Sequence, residues 1–159
     1  MTVDQNEFKN ALQRWASGIS VVTTKTESFG TQGMTVTAFS SVSVDPPQVL
    51  VCINANADTG DGIQESKCFA VNILNSNQED ISNQFAGSCS QKERFSNVSW
   101  SEGMTGAPIL NESLASLDCK VVKQISAGTH QIFIGEVRNV VCRSGEPLLY
   151  YRSAYLQLS

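Results

Sequence analysis

The chain has 159 residues, of which 41% are apolar and 16% are charged. This length and composition predict a single folded domain over residues 1–159, with a core large enough to need no disulfide staples. The formal net charge is −4 and the sequence has no cluster of Lys or Arg, which argues against nucleic acid and anionic membranes as partners. The charged fraction lies below the usual quarter, which favours an oligomer whose interface covers part of the surface.

The cysteine pattern indicates a reducing compartment. The number of cysteines is odd, their spacing is wide, and no C-x-x-C pair occurs among Cys52, Cys68, Cys89, Cys119 and Cys142. The first ten residues are polar and acidic, unlike a signal peptide, and no run of about 18 apolar residues could span a membrane. We therefore expect a cytoplasmic protein in which Cys52, Cys119 and Cys142 are small core residues.

The first predicted elements are a helix and a strand. Phe8, Leu12 and Trp15 recur on one face of a helix over residues 4–15. Asp4 can cap the start of this helix and Gly18 can end it. A β-branched run predicts a strand over residues 19–24, followed by a turn over 26–30.

The longest alternation of polar and apolar residues runs over residues 33–47 and predicts one β-strand. Its apolar side chains would face the core: Met34, Val36, Ala38, Val42 and Val44. Its other face carries a row of hydroxyl groups that includes Thr35 and Ser41. This row is either a solvent-facing strand surface, which suits Thr, or a hydrogen-bonding surface for a ligand.

The later part of the chain continues as a series of strands with few helices. We predict a strand over 48–54, a loop over 55–61, a short helix over 62–66, a strand over 68–74, a helix over 78–85, an irregular segment over 88–110, a strand over 114–125, a turn over 126–129 and strands over 130–142 and 147–151. The helices do not alternate with the strands, which argues against a parallel doubly wound sheet. The pattern predicts a mainly β fold, an antiparallel β-barrel with a few peripheral helices.

Several kinds of site are excluded by their motifs. The sequence has no Rossmann or Walker glycine loop, no G-x-S-x-G elbow and no Cys/His spacing typical of zinc. Because His130 is the one histidine, a multi-histidine metal site is excluded, and we expect no metal.

Three polar residues have both a structural and a functional interpretation. His130 follows a glycine turn, and is either an ordinary surface histidine or a polar group that faces a ligand at the barrel rim. Asn72 lies inside an apolar strand, and is either a satisfied buried amide or a hydrogen-bond partner for a heterocycle. Arg94 lies in the irregular segment, and is either solvated or a phosphate ligand.

Taken together, several segments resemble the short-chain flavin reductase family. They cover residues 15–24, 33–54, 69–74, 85–87, 94–95, 106–110, 128–137 and 147–152. The most specific combination is the 33–47 block with a downstream Gly-x-His-x-x-x-x-Gly-x-Val, which runs here from Gly128 to Val137. Members of this family are NAD(P)H-dependent flavin reductases, usually the small component of two-component flavin monooxygenases.

The resemblance implies a split β-barrel homodimer that binds FMN or FAD near the subunit interface, with NADH or NADPH as co-substrate. A hydride would pass from the nicotinamide to flavin N5, and reduced flavin would leave for a partner monooxygenase. By the same resemblance, His130 places the nicotinamide nucleotide. The implied cofactor-binding residues are Thr35 at the isoalloxazine, Ser40 and Ser41 near the ribityl phosphate, Cys52, Ile53 and Asn54 along the groove, Thr59 at the phosphate, Phe85, Ala86 and Gly87 through their backbone, Arg94 at the phosphate or the nicotinamide nucleotide, and Tyr155 near His130.

This chain differs from many members of that family at two places. Thr129 stands where many carry an Asp before the histidine, which removes a carboxylate that could orient the imidazole. The loop over residues 56–59 contains Asp58 and no cation, so phosphate binding there would rest on Thr59, backbone groups and hydroxyls.

Three other functions stay open at this point. A non-catalytic flavin carrier or sensor on the same barrel would bind flavin tightly without speeding NADH oxidation. A barrel carrier for an unrelated apolar ligand would show no flavin dependence at all. A reductase of a corrinoid or a ferric chelate would use bound flavin as an intermediate carrier.

Overall fold

The computed structural model describes residues 2–159, and strands dominate this part of the chain. Its helices are α1 Gln5–Leu12, α2 Asp58–Ser66, α3 Glu79–Ala86 and α4 Gln91–Arg94. Its strands are β1 Ser17–Gly18, β2 Ser20–Thr26, β3 Gly30–Val36, β4 Phe39–Val44, β5 Pro47–Asn54, β6 Cys68–Ile73, β7 Trp100–Glu102, β8 Pro108–Leu110, β9 Ala115–Ala127, β10 His130–Cys142, β11 Leu149–Tyr151 and β12 Ala154–Leu156. The mainly β, antiparallel prediction is confirmed.

Seven strands form one antiparallel sheet in the order β3-β2-β6-β9-β10-β5-β4. The two edge strands, β3 and β4, follow each other in the chain and are joined by Thr37 and Ala38. The sheet therefore curls until its edges approach, and β3 also contacts β5. The amide of Cys52 donates to the carbonyl of Ala38 at 3.1 Å, which ties the crossing between the edge strands to β5.

The core fills the inside of the curled sheet because alternate strand residues point inward. In β5, Val49, Val51 and Ile53 are buried, while the residues between them face outward. They pack with the buried aromatic rings of Phe69 and Phe133. A second cluster lies outside the curl, under α3, and consists of Ile19, Val21, Leu74, Phe85, Leu110 and Leu148.

The polar residue in the middle of β6, Asn72, is fully buried and fully hydrogen bonded. Its Nδ2 donates to the carbonyl of Val21 at 3.1 Å and to the hydroxyl of Thr23 at 3.0 Å. Its Oδ1 accepts from the amide of Leu110 at 3.0 Å and from the hydroxyl of Ser116 at 2.9 Å. The structural interpretation of Asn72 is confirmed, because it joins neighbouring strands in the core.

The prediction of one strand over residues 33–47 is wrong. The chain bends at Thr37 and Ala38, and its two halves, β3 and β4, lie at opposite edges of the sheet. Period-two alternation continues through the bend, so the sequence pattern does not reveal it. The predicted inward face holds for Val36, which is buried, and fails for Val44, which is 93% exposed.

Other predicted boundaries also change. Helix α1 ends at Leu12 with Gln13 as its C-cap, so Gly18 does not end it, and no residue of α1 is buried. Helix α2 begins at Asp58 inside the predicted loop. The segment predicted as irregular contains α4, β7 and β8, and a further strand, β12, pairs with β11.

The expectation that three cysteines are core residues holds in part. Cys119 is buried, Cys52 is half-buried and Cys142 is exposed. All of the cysteines are free thiols, as the sequence pattern predicts. Over residues 2–159, no helix is long and apolar enough to cross a membrane.

Candidate functional site

One outer face of the sheet gathers several of the residues that the sequence singles out. In the pairing of β4, β5 and β10, Ser40 lies opposite Leu50, and His130 lies opposite Asn54. Directly paired residues of antiparallel strands project to the same side of the sheet. Because Leu50, Cys52 and Asn54 alternate with buried residues of β5, Ser40 and His130 share the outward face with them.

Three neighbouring cavities run from α2 to this outer face. The first, here called the helix cavity, measures about 320 Å³ and is lined by Met34, Thr35, Asn56, Ala57, Asp58, Thr59, Phe85, Ala86, Gln91 and Arg94. The middle cavity measures about 200 Å³ and is lined by Ile19, Thr35, Val36, Thr37, Ser82, Ala86, Tyr150 and Tyr155. The aromatic cavity measures about 610 Å³, and its lining includes Trp15, Thr37, Phe39, Ser40, Leu50, Cys52, Tyr150 and Tyr151.

These cavities are adjacent, because neighbouring cavities share wall residues, and together they are called the groove below. Thr35 and Ala86 line both the helix cavity and the middle cavity. Thr37 and Tyr150 line both the middle cavity and the aromatic cavity. The groove therefore follows the crossing from β3 to β4.

The helix cavity contains two buried polar atoms without a partner among the described residues. One is Oγ1 of Thr59, in the first turn of α2, and the other is Nε of Arg94. Thr59 is 1% exposed, so water does not readily satisfy its hydroxyl. An unpaired buried polar atom costs roughly 1–3 kcal/mol, and a ligand oxygen in this cavity would remove that cost.

Arg94 also holds the walls of the helix cavity together. Its Nη1 donates to the carbonyl of Gly33 at 2.7 Å, and its Nη2 donates to the carbonyl of Gly87 at 2.7 Å. These bonds connect β3 to the end of α3. The positive charge stays beside the cavity while part of the guanidinium is committed to the backbone.

Thr35 and Tyr155 meet at Ser82 of α3. The hydroxyl of Thr35 donates to the carbonyl of Ser82 at 2.7 Å, so towards a ligand its oxygen can act as an acceptor. The Tyr155 hydroxyl lies 2.9 Å from Oγ of Ser82 and donates to Oδ1 of Asn83 at 2.7 Å. Both predicted residues therefore lie in the middle cavity.

Ser40 and Ser41 point to opposite sides of the strand, because their pairing with β5 is regular and the register shift falls after Ser41. The Ser40 hydroxyl donates to the carbonyl of Ser41 at 3.0 Å. Only Ser40 of the two lines the aromatic cavity. Ser41 could therefore serve the same ligand through its backbone alone.

The remaining predicted groove residues take different positions. Ile53 is buried in the core with its side chain facing inward, which leaves its backbone for contacts. The Asn54 carbonyl oxygen Oδ1 accepts from the amide of Asn56 at 2.9 Å, which shapes the loop before α2. Burial raises the pKa of the Cys52 thiol above its ordinary 9.0, so Cys52 presents a neutral thiol to the aromatic cavity.

His130 is half-buried at the start of β10, outside the three cavity linings. Its Nδ1 lies 2.8 Å from Oγ1 of Thr129. The carbonyl of Thr129 accepts from the amide of Ala55 at 2.9 Å. The turn that carries His130 is therefore fixed to the loop that leads into the helix cavity.

Two residues that line the groove, Gln91 and Trp15, are not among the site residues expected from the sequence. The side chain of Gln91 accepts from the amide of Gly33 at 2.9 Å and lines the helix cavity. A signal was present, because Ser90 and Glu93 form a capping box that starts α4, and the S-x-x-E spacing is visible in the sequence. Trp15, expected on a packed helix face, is 78% exposed and lines the aromatic cavity.

No group of three or more His, Cys, Asp or Glu side chains that could hold a metal ion is found in the part of the chain that the structure describes. The groove is instead lined by hydroxyls, amides, aromatic rings and a few cations. Such a lining suits an organic ligand that combines a flat ring with polar or anionic groups.

A curled antiparallel sheet with this groove is the architecture of flavin reductases. The family model for the flavin reductase like domain matches residues 12–159. The chain belongs to this family, and the resemblance given above is confirmed, as is the split-barrel fold class.

Known relatives match over nearly the whole chain. The FMN reductase (NADH) RutF of Pseudomonas syringae pv. syringae B728a is 40% identical over 98% of this chain and 88% of its own length. The structure of flavin reductase PheA2 in its native state is 38% identical, covers 99% of both chains and superimposes with a TM-score of 0.90. The structure of nitrilotriacetate monooxygenase component B from Mycobacterium thermoresistibile is 31% identical, covers 98% of this chain and 87% of its own, and gives a TM-score of 0.92. The predicted enzyme class, an NAD(P)H:flavin oxidoreductase, is confirmed.

Proposed function

We propose that this protein reduces FMN or FAD with NADH or NADPH, with FMN and NADH as the first pair to test. The relative from Pseudomonas syringae is named for that pair. Bound flavin supplies N5 as the acceptor of the hydride from the nicotinamide. The task of the chain is to hold two flat rings in contact, which agrees with a groove that lacks a nucleophile paired to a base.

The observation that carries this proposal is the unpartnered Thr59 hydroxyl in the helix cavity. A flavin phosphate there would accept from Oγ1 of Thr59 and lie close to the charge of Arg94. The first turn of α2 would add its free backbone amides, which favour anions. Asp58 lies in the same turn and opposes an anion, so the phosphate would be held moderately rather than tightly, as suits a flavin that must be released.

The other predicted residues would then follow the flavin along the groove. Thr35 would face the ring system across the middle cavity, and Phe85, Ala86 and Gly87 would offer the end of α3. Ser40, Ser41, Cys52, Ile53 and Asn54 would bound the aromatic cavity side, while His130 and Tyr155 would contact the nicotinamide nucleotide.

The proposed partners are a second copy of this chain and a flavin-dependent monooxygenase. The low charged fraction of the sequence and the exposed apolar side chains of β4 support a homodimer. The similarity to a monooxygenase component supports delivery of reduced flavin to an oxygenase. A cytoplasmic location stays a prediction that rests on the cysteine pattern.

The first test is NADH oxidation with and without added FMN, for the natural chain and for Thr59→Val. Val keeps the shape of Thr and removes the hydroxyl. We expect the KM for FMN to rise about tenfold or more, because a hydrogen bond to a charged group contributes roughly 1.5–3 kcal/mol. The thermal midpoint should stay the same or rise, because the hydroxyl has no protein partner to lose.

Ser113→Ala is the matched control. The Ser113 hydroxyl is also buried and unpartnered among the described residues, and it lies outside the helix cavity. This variant should leave both flavin and NADH kinetics unchanged. If the natural chain binds FMN but oxidises NADH no faster than free FMN does, the protein is a flavin carrier and the proposed reaction is wrong.

A further inference from the structure

The single imidazole of this chain has one neighbour that can set its orientation. Oγ1 of Thr129 and Nδ1 of His130 are 2.8 Å apart, a hydrogen-bond distance. It is the one hydrogen bond that the imidazole makes within residues 2–159. Across the sheet, His130 faces Asn54, whose Oδ1 is occupied by the amide of Asn56.

The turn around Thr129 is built to hold this contact. Gly128 has a positive φ of 57°, which a glycine adopts without strain. The carbonyl of Thr129 is fixed by the amide of Ala55. Because Thr is branched at Cβ, its χ1 is restricted, so the position of the hydroxyl is well defined relative to the ring.

We propose that Thr129 is a positioning residue that holds His130 in the neutral Nε2–H tautomer. The Thr129 hydroxyl donates to Nδ1, and the imidazole then carries its proton on Nε2. The contact fits this tautomer because an unprotonated Nδ1 offers a lone pair to the hydroxyl hydrogen, while water can serve the exposed hydroxyl oxygen. The outward group of His130 is therefore an N–H donor.

The tautomer determines what His130 can recognise. An Nε2–H suits an oxygen acceptor, such as an amide or phosphate oxygen of the nicotinamide nucleotide. This consequence rests on the proposed function, whereas the Thr129–His130 contact does not. A carboxylate at position 129 would have the opposite effect, because it accepts from Nδ1–H and leaves Nε2 as an acceptor or favours the charged ring.

Because the chain has one histidine, a long-range ¹H–¹⁵N spectrum of uniformly labelled protein reports this ring alone. At alkaline pH, where an imidazole is neutral, we expect the natural chain to show an unprotonated Nδ1 and a protonated Nε2. Thr129→Ser should give the same spectrum, because it keeps the hydroxyl. Thr129→Val should give exchange-averaged nitrogen shifts, and Thr129→Asp should move the proton to Nδ1.

Steady-state kinetics give the second measurement. Thr129→Val should raise the KM for NADH about threefold to tenfold, the range expected when one neutral hydrogen bond no longer positions the donor. The kcat and the KM for FMN should stay unchanged, and Thr129→Ser should restore the natural KM for NADH.

The two measurements separate this inference from the proposed function. A protonated Nδ1 in the natural chain, or a Thr129→Val spectrum identical to that of the natural chain, would overturn the positioning role. The expected spectra together with an unchanged KM for NADH in His130→Ala would support the tautomer assignment and refute the role of His130 in binding the nicotinamide nucleotide.

Discussion

Asn72 and Thr59 are both buried polar residues, and their hydrogen bonds assign them to different tasks. Every polar atom of the Asn72 side chain has a protein partner, so its role is complete within the fold. The Thr59 hydroxyl has no partner in the described part of the chain and lines the helix cavity, so it is free to bind the flavin phosphate proposed above. Burial alone does not distinguish the two residues, whereas the count of satisfied donors and acceptors does.

Because the Cys119 thiol is buried, the free energy of unfolding should fall at alkaline pH. Burial, and secondly the neighbouring Asp118 carboxylate, raise the pKa of its thiol from 9.0 to about 12. In the unfolded chain the thiol ionises near its ordinary pKa, so between these values the folded state binds more protons than the unfolded state. The free energy of unfolding should therefore fall as pH rises through this window, by up to about 1.4 kcal/mol per pH unit.

Urea denaturation at several values from about pH 8 to about pH 11 measures this slope. Other groups also titrate in this range, so the comparison is with Cys119→Ala, which should lose the part of the slope due to the thiol. Cys142→Ala is a suitable second control because Cys142 is exposed. Equal slopes in the natural chain and in Cys119→Ala would show that Cys119 ionises freely in the folded state.

Gly135 of strand β10 packs so closely against β6 and β9 that a side chain at this position should destabilise the sheet. A Cβ at Gly135 would lie 2.6 Å from Cζ of Phe69 and 2.8 Å from Cβ of Cys119. Neither neighbour can move easily, because both are fully buried. Gly135→Ala should therefore destabilise the protein by about 1–3 kcal/mol, the usual cost of overpacking.

The urea midpoint at constant m-value measures this loss. Gly18→Ala is the matched control, since a Cβ there would meet nothing within 4 Å, and its midpoint should stay within experimental error. A Gly135→Ala urea midpoint equal to that of Gly18→Ala would show that Phe69 and Cys119 move aside without cost, which would contradict the prediction.

Elements whose pattern is local are predicted well from the sequence. The prediction of 130–142 coincides with β10, and that of 48–54 differs from β5 by one residue. The prediction of one strand over residues 33–47 fails because the polar/apolar alternation is the same before and after the bend. The pairing partner changes at the bend, from β2 for β3 to β5 for β4. The bend depends on closure of the sheet, and closure depends on residues far away in the chain.

At the scale of the whole molecule, exposed apolar side chains support the proposed homodimer. Val44 is 93% exposed and Trp15 is 78% exposed, and both would be shielded from water in a dimer. We expect sedimentation equilibrium to give twice the chain mass of 17.2 kDa. Val44→Glu should shift the equilibrium towards monomer by placing a charge in the interface.

Met104→Glu is the control for this experiment, because Met104 is 74% exposed and lines a separate cavity at the far end of α2. Its mass should equal that of the natural chain. A monomeric natural chain at micromolar concentration that still reduces FMN would contradict the homodimer proposal while leaving the proposed reaction intact.

The site as a whole was predicted in part. Thr35, Thr59 and Arg94 were implied by the family resemblance, and the structure gathers them around one cavity. Motif and periodicity alone did not identify them, because the proposed phosphate site combines one hydroxyl, backbone amides and an arginine bound to the backbone, and such a site has no short sequence signature. Gln91 was missed because its partner, Gly33, is distant in the chain and only the folded structure brings them together.

The crossing at Thr37 and Ala38 makes the main chain itself a wall of the groove. Thr37 belongs to the walls of both the middle and the aromatic cavity, and the bond from the amide of Cys52 to the carbonyl of Ala38 ties this crossing to β5. The same dipeptide that closes the sheet therefore shapes two cavities. A change of backbone conformation at Thr37 would alter both cavities at once, whereas a substitution at Ser40 would alter the aromatic cavity alone.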